Sequence, residues 1–167
     1  LTANGGVGGY VGGSWGGSGA GGRVSLSFAN DSYSGGNQNL TVQAYAGVQN
    51  NSDSGAAGTV YVNHNGQDRI IVDNNTNPHV QFVETPVPTG ALLSNLDELV
   101  TRNNGTLVVE ALDTFTVHTN PTRSLSTIDY RLVVAGTLVI PGGASGNLTI
   151  ANMGLLEWRR GDSIVVN

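Results

Sequence analysis

The chain has 167 residues, of which 38% are hydrophobic and only 11% are charged, and its formal net charge is −5. It contains no lysine, so all seven basic residues are arginines, and it contains no cysteine. The acidic balance excludes a basic nucleic-acid-binding stripe, and the lack of thiols excludes disulfides and zinc–thiolate sites. We therefore expect no nucleic-acid partner. No stretch is long and apolar enough to cross a bilayer, so we also expect no membrane insertion.

Glycine dominates the N-terminal region. Eleven of the 25 glycines lie between Leu1 and Gly22, interspersed with Val7, Tyr10, Val11 and Trp15. A flexible Gly-rich linker lacks large apolar side chains. The pattern therefore indicates tight turns and close backbone packing rather than a tether.

Two copies of one unit are predicted in this region. The segment RVSLSF at 23–28 alternates apolar and polar residues, which is typical of a strand. The segment GAGGRVSL begins at Gly19, and the similar segment GAAGTVYV begins at Gly55. An LT pair also precedes each copy, at Leu1 and Leu40, so residues 1–28 and 40–62 are predicted to be related repeats.

The second half contains short apolar segments at regular spacing. Leu96-Asp97, Leu112-Asp113 and Ile128-Asp129 recur at one constant interval, which suggests a repeat of that length. Further strands are predicted from Phe115 to Val117, Leu132 to Val134, Leu148 to Ile150 and Ile164 to Val166. Residues Leu96 to Val100 are predicted to form another strand rather than a short helix.

These features predict an all-β fold. The visible repeat, the shortness of the strands and the variable turns favour a right-handed parallel β-helix (β-solenoid) with Gly-rich loops, with an antiparallel β-sandwich as the alternative. We expect one domain spanning 1–167, with a Gly-rich repeat half (1–78) and a regular short-strand half (79–167). In such a stack each coil covers the aliphatic side chains of the next.

The segments GGSGAGGRVSLSF and GAAGTVYVNHNGQDRIIVDN resemble the Gly-rich parallel β-helix repeats of very large secreted or cell-surface, adhesin-like bacterial proteins. The resemblance is strongest over Leu1 to Asn75 and looser from Leu96 onward. It implies a secreted or cell-surface location and a role in adhesion or matrix scaffolding. It implies no catalytic residues.

Two glycine motifs match catalytic or cofactor patterns without their context. GGSWG at 12–16 fits the G-x-S-x-G nucleophile motif, which requires a strand–turn–helix. GSGAGG at 17–22 fits G-x-G-x-x-G, which must open a helix to bind pyrophosphate, but a predicted strand follows it. His64, His79 and His118 lack metal-site spacing and are expected to be single side chains on turns. We therefore expect no enzyme, no catalytic residue and no organic cofactor.

Carboxylates and amides leave a cation site open. Asp97, Asp113 and Asp129 would form a column if their constant interval were the coil length, as turn residues, calcium ligands or catalytic groups. Asp73, Asn74 and Asn75 supply oxygens for a second candidate calcium site, without the spacing of an EF-hand loop. Calcium is thus the one candidate cofactor.

Exposed aromatic side chains are the predicted ligand-binding groups. Tyr10, Trp15, Tyr61 and Trp158 are candidates for stacking on sugar rings, and Tyr61 is expected to face outward because it alternates with Val60 and Val62. We therefore predict an extracellular structural or adhesive module that associates with itself, including into filaments or a surface matrix, or with a polysaccharide or cell-surface glycan. A carbohydrate-binding or polysaccharide-degrading β-helix module is the alternative.

Overall fold

The computed structural model describes sixteen strands and no helix within the ranges 1–29, 41–48, 54–77, 83–86, 95–110, 114–117, 126–128, 131–135, 137–140, 148–150, 155–158 and 163–166. The strands are β1 (Tyr10–Val11), β2 (Ser14–Trp15), β3 (Arg23–Phe28), β4 (Thr59–His64), β5 (Gln67–Asp73), β6 (Thr85–Pro86), β7 (Asn95–Leu96), β8 (Glu98–Arg102), β9 (Thr106–Val109), β10 (Thr114–Val117), β11 (Ser126–Ile128), β12 (Arg131–Val134), β13 (Thr137–Ile140), β14 (Leu148–Ile150), β15 (Leu155–Trp158) and β16 (Ser163–Val166). The expected all-β class is confirmed. In these ranges no helix is long and apolar enough to cross a membrane.

From β6 onward, each strand pairs with the strand three positions later in the chain. Sheet I has six strands in the order β14-β11-β8-β5-β4-β3, sheet II has the order β15-β12-β9-β6, and sheet III has the order β16-β13-β10-β7. Consecutive strands therefore belong to different sheets, and the chain returns to each sheet after visiting the other two.

Pairing within these sheets is parallel, with one exception. All pairs in sheets II and III and four of the five pairs in sheet I are parallel. The exception is the β4–β5 hairpin, whose turn Asn65-Gly66 has φ angles of 54° and 76°. The alternative of an antiparallel sandwich is therefore wrong, because its sheets would be built from antiparallel neighbours.

Aliphatic side chains from successive strands form rows inside the three sheets. Leu107, Leu132 and Leu156 are consecutive partners in sheet II, and the first two are fully buried. Leu96 pairs with Val117 in sheet III, and both are fully buried. Ile70 and Leu99 of sheet I complete one continuous core with these residues. The short apolar segments are thus strands because each needs a neighbour on both sides to remove its side chains from water.

The spacing between paired strands is longer than the constant interval predicted. Leu96 lies opposite Val117, whereas the predicted interval would place it opposite Leu112. Residues Leu96 to Val100 are not one strand: β7 ends at Leu96 and β8 begins at Glu98, in a different sheet. Leu96 ends β7 in sheet III and Ile128 ends β11 in sheet I, so these two members of the recurrence do not lie in one sheet, and Leu112 lies outside the described residues.

The N-terminal repeat was predicted correctly in one half and incorrectly in the other. Arg23 lies opposite Thr59 in the parallel β3–β4 pair, as the alignment of the two copies predicts. By contrast, aligning the LT pairs would place Thr2 opposite Thr41, whereas Thr2 is bridged to Gln43. The partner is thus displaced by two residues, from Thr41 to Gln43. A displacement of two leaves the side chains on the same face, because side chains of an extended chain alternate with a period of two.

Extended Gly-rich segments pack backbone to backbone beside sheet I. Gly19 donates its N–H to the Gly6 carbonyl and accepts from Gly47, while Gly58 donates to the Ala44 carbonyl. A Cβ atom placed on Gly58 would collide with the Gly22 carbonyl. Each segment therefore bonds with more than one neighbour, which requires glycine at the points of close approach.

Candidate functional site

A cleft of about 340 Å³ lies on the outer face of sheet I, on the side away from the main core. Its floor includes Leu26, Val60, Val62 and Ile71, which are brought together by the registers of β3, β4 and β5. These side chains belong to a second, smaller apolar cluster around Val24, Val60 and Ala44. The period-two pattern of the strands creates this face, because alternate residues of each strand point away from the core.

Charged pairs flank this apolar floor on both sides along the strand direction. Arg69 and Glu98 are cross-strand partners, with Nη2 and Oε1 3.0 Å apart. Beyond Ile71 on the other side, Asp73 and Arg102 are partners, with Nε and Oδ2 2.7 Å apart. The rings of Phe28 and His64 lie against each other at one end, with centroids 4.7 Å apart. The cleft therefore has an apolar middle and a polar margin.

The wall of the cleft is a segment at residues 41–48, held in place by asparagines. Ala46 donates its N–H to Oδ1 of Asn74 at 3.0 Å, and its carbonyl accepts from Nδ2 of Asn77 at 3.1 Å. Asn74 is only 1% exposed. Because both backbone groups of Ala46 are satisfied by the turn after β5, the wall and the floor are positioned by the same residues.

Two asparagine-rich turns, one after β5 and one after β8, lie against each other and produce this arrangement. We call them the asparagine corners, and they were not predicted from the sequence. Asn75 and Thr76 after β5, and Asn103 and Asn104 after β8, all have positive φ angles between 50° and 67°. Thr76 donates its N–H to the Asn103 carbonyl at 3.0 Å, and Asn104 donates to the Asn77 carbonyl at 3.1 Å. The recurrence of Asn-Asn directly after a charged strand end, in DNNT and RNNG, was the available signal, since asparagine tolerates the left-handed region.

The residues of the candidate calcium site have hydrogen-bonding roles in the first of these corners. Asp73 accepts from Asn75 N–H, from Nδ2 of Asn103 and from Nε of Arg102. Asn74 binds Ala46, as described above, and Asn75 is exposed. Within the described ranges, no group of three or more His, Cys, Asp or Glu side chains is arranged to hold a metal ion. Calcium binding here stays a prediction.

Tyr61 does not face outward as expected. It is partly buried, packs against the main core on the opposite side of sheet I from Val60 and Val62, and donates its hydroxyl to Oδ1 of Asp68 at 2.6 Å. The expectation failed because sheet I is covered on both faces, so alternation alone does not identify a solvent side. Burial raises the pKa of Tyr61, and the hydrogen bond to the Asp68 carboxylate raises it further.

Of the other predicted sugar-stacking residues, Tyr10 does not line the cleft, and for Trp15 and Trp158 the structure describes the backbone only. Tyr10 is 57% exposed, and its backbone pairs with that of Trp15 in the small β1–β2 sheet. Trp158 ends β15 in sheet II, where its backbone partner is Val134. The tyrosine that lines the cleft is Tyr45, which was not predicted to do so. Burial and the nearby Asp73 carboxylate raise the pKa of Tyr45, and Arg102 opposes this effect.

The predicted aspartate column is not supported at Asp97. This residue follows β7 and binds Asp68 reciprocally: Asp68 N–H donates to Oδ2 of Asp97 at 2.7 Å, and Asp97 N–H donates to the Asp68 carbonyl at 2.8 Å. Asp97 therefore accepts a backbone hydrogen bond at a turn, which agrees with the first of the three roles considered for it, that of a turn residue. Asp113, Asp129, His79 and His118 lie outside the described residues.

The glycine motifs have no catalytic context in the described chain. Gly12 and Gly13, with φ angles of 61° and 87°, form the turn of the β1–β2 hairpin, so GGSWG lies in a hairpin rather than a strand–turn–helix. GSGAGG leads directly into β3. Neither motif precedes a helix, so neither can supply the helix N-terminus that its chemistry needs.

No protein-family model matches the chain, and no curated protein sequence or solved structure matches it. The resemblance to adhesin-like repeats therefore stays a prediction that stands on the residues quoted above.

Proposed function

We propose that the chain is an extracellular structural or adhesive module built as a right-handed β-solenoid, located in secreted material or at a cell surface. The observation that carries this proposal is the parallel pairing, from β5 onward, of strands that lie three positions apart in the chain. A chain that visits three sheets in turn and returns in parallel lengthens by about 4.8 Å per coil. The right-handed sense follows the general preference of parallel β crossovers.

The Gly-rich segments act as a cover at the N-terminal end of this stack. Ala57 joins the main core, and its carbonyl accepts a hydrogen bond from the Thr85 hydroxyl of β6 at 2.6 Å. Because Ala57 packs into the main core and bonds β6, the first strand of sheet II, it shields this end of the aliphatic rows from water. A core covered at this end fits a module that carries load or displays a surface, since an open end of the core would expose aliphatic side chains.

Self-association would use the edge of sheet I formed by β3. Among the described residues, β3 is the outermost strand at this end of the sheet, and Ser25 and Ser27 on it are exposed. An edge strand pairs readily with another strand because its outward N–H and C=O groups have no ladder partner. A second copy at this edge would extend the sheet and produce oligomers or filaments.

The test combines small-angle scattering, sedimentation and electron microscopy of the purified chain over a concentration series. We expect an elongated particle that forms larger assemblies as concentration rises. The double variant Ser25→Lys/Ser27→Lys should reduce assembly, because charged edges repel incoming strands. The matched control is Thr114→Lys, an exposed position on β10 in the interior of sheet III. A compact particle that stays monomeric at every concentration would contradict the proposal.

A carbohydrate-binding module is the second candidate function. The observation in its favour is the cleft on sheet I, which combines an apolar floor with charged and hydrogen-bonding margins. Polysaccharide degradation has no comparable support, because the Asp97 and Asp73 carboxylates in this region already accept backbone or guanidinium hydrogen bonds.

A further inference from the structure

The side chains of the cleft are arranged in cross-strand rows. The central row contains Val60 and Ile71, which are register partners. On one side lies the row of Val62, Arg69 and Glu98, and on the other side lies the Asp73–Arg102 pair. Because Arg69 and Asp73 stand at either end of the same stretch of β5, the two charged pairs are separated by about 13 Å along the strand.

This geometry produces an amphipathic surface. Ile71 and Val62 are only partly buried, so Ile71 presents aliphatic area between the two charged pairs and Val62 presents it beside Arg69. The wall segment covers Val60 and Val24 through Ala44 but leaves the floor over β5 open. A ligand that fits here therefore needs an apolar face and a polar perimeter of both donors and acceptors.

The ion pairs of the cleft select against anions. The Arg69 and Arg102 guanidinium groups and their Glu98 and Asp73 partners lie on the cleft face of sheet I, whereas the Asp68 carboxylate accepts from Tyr61 on the core side. Both arginines are already paired with carboxylates. An anionic ligand would have to displace those carboxylates, whereas a neutral hydroxyl can donate to a carboxylate that keeps its arginine.

We infer that this cleft is the binding site for a neutral saccharide, whose C–H face lies on Ile71 and Val62 and whose hydroxyls bond with the Arg69–Glu98 and Asp73–Arg102 pairs. The inference rests on the carbohydrate-binding candidate, and it names the site and the ligand class. A purely apolar ligand fits less well, because it would exclude water from the charged pairs without offering them new hydrogen bonds. Tyr10 and Tyr61, two of the aromatic residues predicted from the sequence, do not line this site.

The test is a titration of the isotopically labelled chain with three uncharged probes, cellohexaose, mannohexaose and laminarihexaose, followed by amide chemical-shift mapping. At least one probe should shift amides of β4, β5 and β8, with millimolar affinity or tighter. Trigalacturonate, which is anionic, should bind at least ten-fold more weakly, and 1-decanol, which is an apolar probe, should not compete.

Two variants identify the groups responsible. Glu98→Gln should weaken the preferred oligosaccharide at least five-fold, because a neutral amide is a poorer acceptor for hydroxyls. Ile71→Thr should weaken it by a similar factor through loss of apolar contact. Leu155→Ala, at an exposed residue on sheet II, is the matched control and should bind as the unaltered chain does. The melting temperature of each variant shows whether it is folded.

Several outcomes would overturn the inference. These are the absence of a shift with all three uncharged probes, stronger binding of trigalacturonate, competition by 1-decanol, or shifts confined to Tyr10 and Trp15. The mapping of the unaltered chain gives a result even if both cleft variants fail to fold. Because particle shape and assembly are measured separately, loss of saccharide binding from an intact elongated particle would reject this site and leave the structural proposal standing.

Discussion

The Asn74 side chain accepts a hydrogen bond from the backbone N–H of Ala46 at 3.0 Å, and this contact joins the turn after β5 to the wall of the cleft. The two residues are far apart in the chain, and both are almost completely buried. Loss of this bond would be costly, because the Ala46 N–H has no access to water once its partner is removed.

Replacing Asn74 with alanine should therefore lower the free energy of unfolding by about 1–3 kcal/mol, the usual cost of an unsatisfied buried donor. The measurement is urea denaturation followed by circular dichroism. Asn75→Gly is the matched control. Asn75 is exposed and has a φ angle of 53°, which glycine adopts without steric cost, so this change should have little effect on the free energy of unfolding. Equal destabilisation by both variants would argue that the corner, rather than the Asn74 bond, holds the wall.

Backbone contact between Gly-rich segments predicts a strong position dependence of Gly→Ala changes. Gly58→Ala should destabilise the chain by about 1–3 kcal/mol, because its Cβ would overlap the Gly22 carbonyl and force the segments apart. Gly6→Ala should be neutral or slightly stabilising, since nothing lies within 4 Å of a Cβ placed there. Thermal melting of the two variants distinguishes a packed bundle from a flexible tether, in which both changes would behave alike.

The aliphatic row in sheet II predicts contrasting costs for neighbouring leucines. Leu132→Ala should cost about 2–5 kcal/mol, because Leu132 is fully buried between Leu107 and Leu156 and its loss leaves a cavity. Leu155→Ala should cost well under this, since Leu155 is 52% exposed. Chemical denaturation of both variants tests the register, because a one-residue slip of β15 would turn Leu155 inward and raise the cost of Leu155→Ala to a similar range.

Arg131 connects carboxylates contributed by two different parts of the stack. Its Nη2 lies 2.8 Å from Glu157 and 3.9 Å from Glu84, and its side chain is only 13% exposed. Arg131→Met should lower stability by about 1.5–3 kcal/mol, the range for hydrogen bonds to charged groups.

Arg102→Met provides the comparison for Arg131. The Arg102 side chain is 47% exposed, so loss of its pair with Asp73 should cost only about 0–1 kcal/mol. The experiment measures both free energies of unfolding at low and high salt. Equal costs for the two variants would contradict the difference in burial as the cause.

The raised pKa of Tyr61 predicts that the free energy of unfolding decreases at alkaline pH. Burial and the Asp68 hydrogen bond raise its pKa above the ordinary value of 10.0, so the folded chain retains the phenolic proton when the unfolded chain has released it. This contribution is fully present below pH 10 and disappears as pH rises through the pKa of the folded state. Urea denaturation should therefore show a falling free energy of unfolding above pH 10.

Tyr61→Phe should reduce this alkaline loss while lowering stability at neutral pH, because it removes both the titrating group and the bond to Asp68. The decline that persists in Tyr61→Phe is attributed in part to Tyr45, whose pKa is also raised. Tyr10→Phe, at an exposed residue, is the control and should leave the pH profile unchanged. An identical profile for Tyr61→Phe and the unaltered chain would refute the assignment.

Strand positions were largely predictable because the period-two pattern is a local property. Arg23–Phe28 was predicted with its observed bounds, and so was Leu148–Ile150. The register of β3 with β4 followed from the sequence repeat that begins at Gly19 and again at Gly55. Strand partners in the second half were not predictable, because the residues between successive strands vary in number and so conceal which strands lie side by side.

By itself, the sequence determined that this chain is all-β, that its short apolar segments are strands, and that glycine is needed where backbones touch. Only the tertiary structure determined which faces of those strands are exposed to solvent. Tyr61 turned inward and Tyr45 reached the cleft because sheet I is covered on both sides, by the core and by a segment that Asn74 holds from a distance. Alternation along a strand assigns residues to two faces, but only the packing of distant segments determines what each face meets.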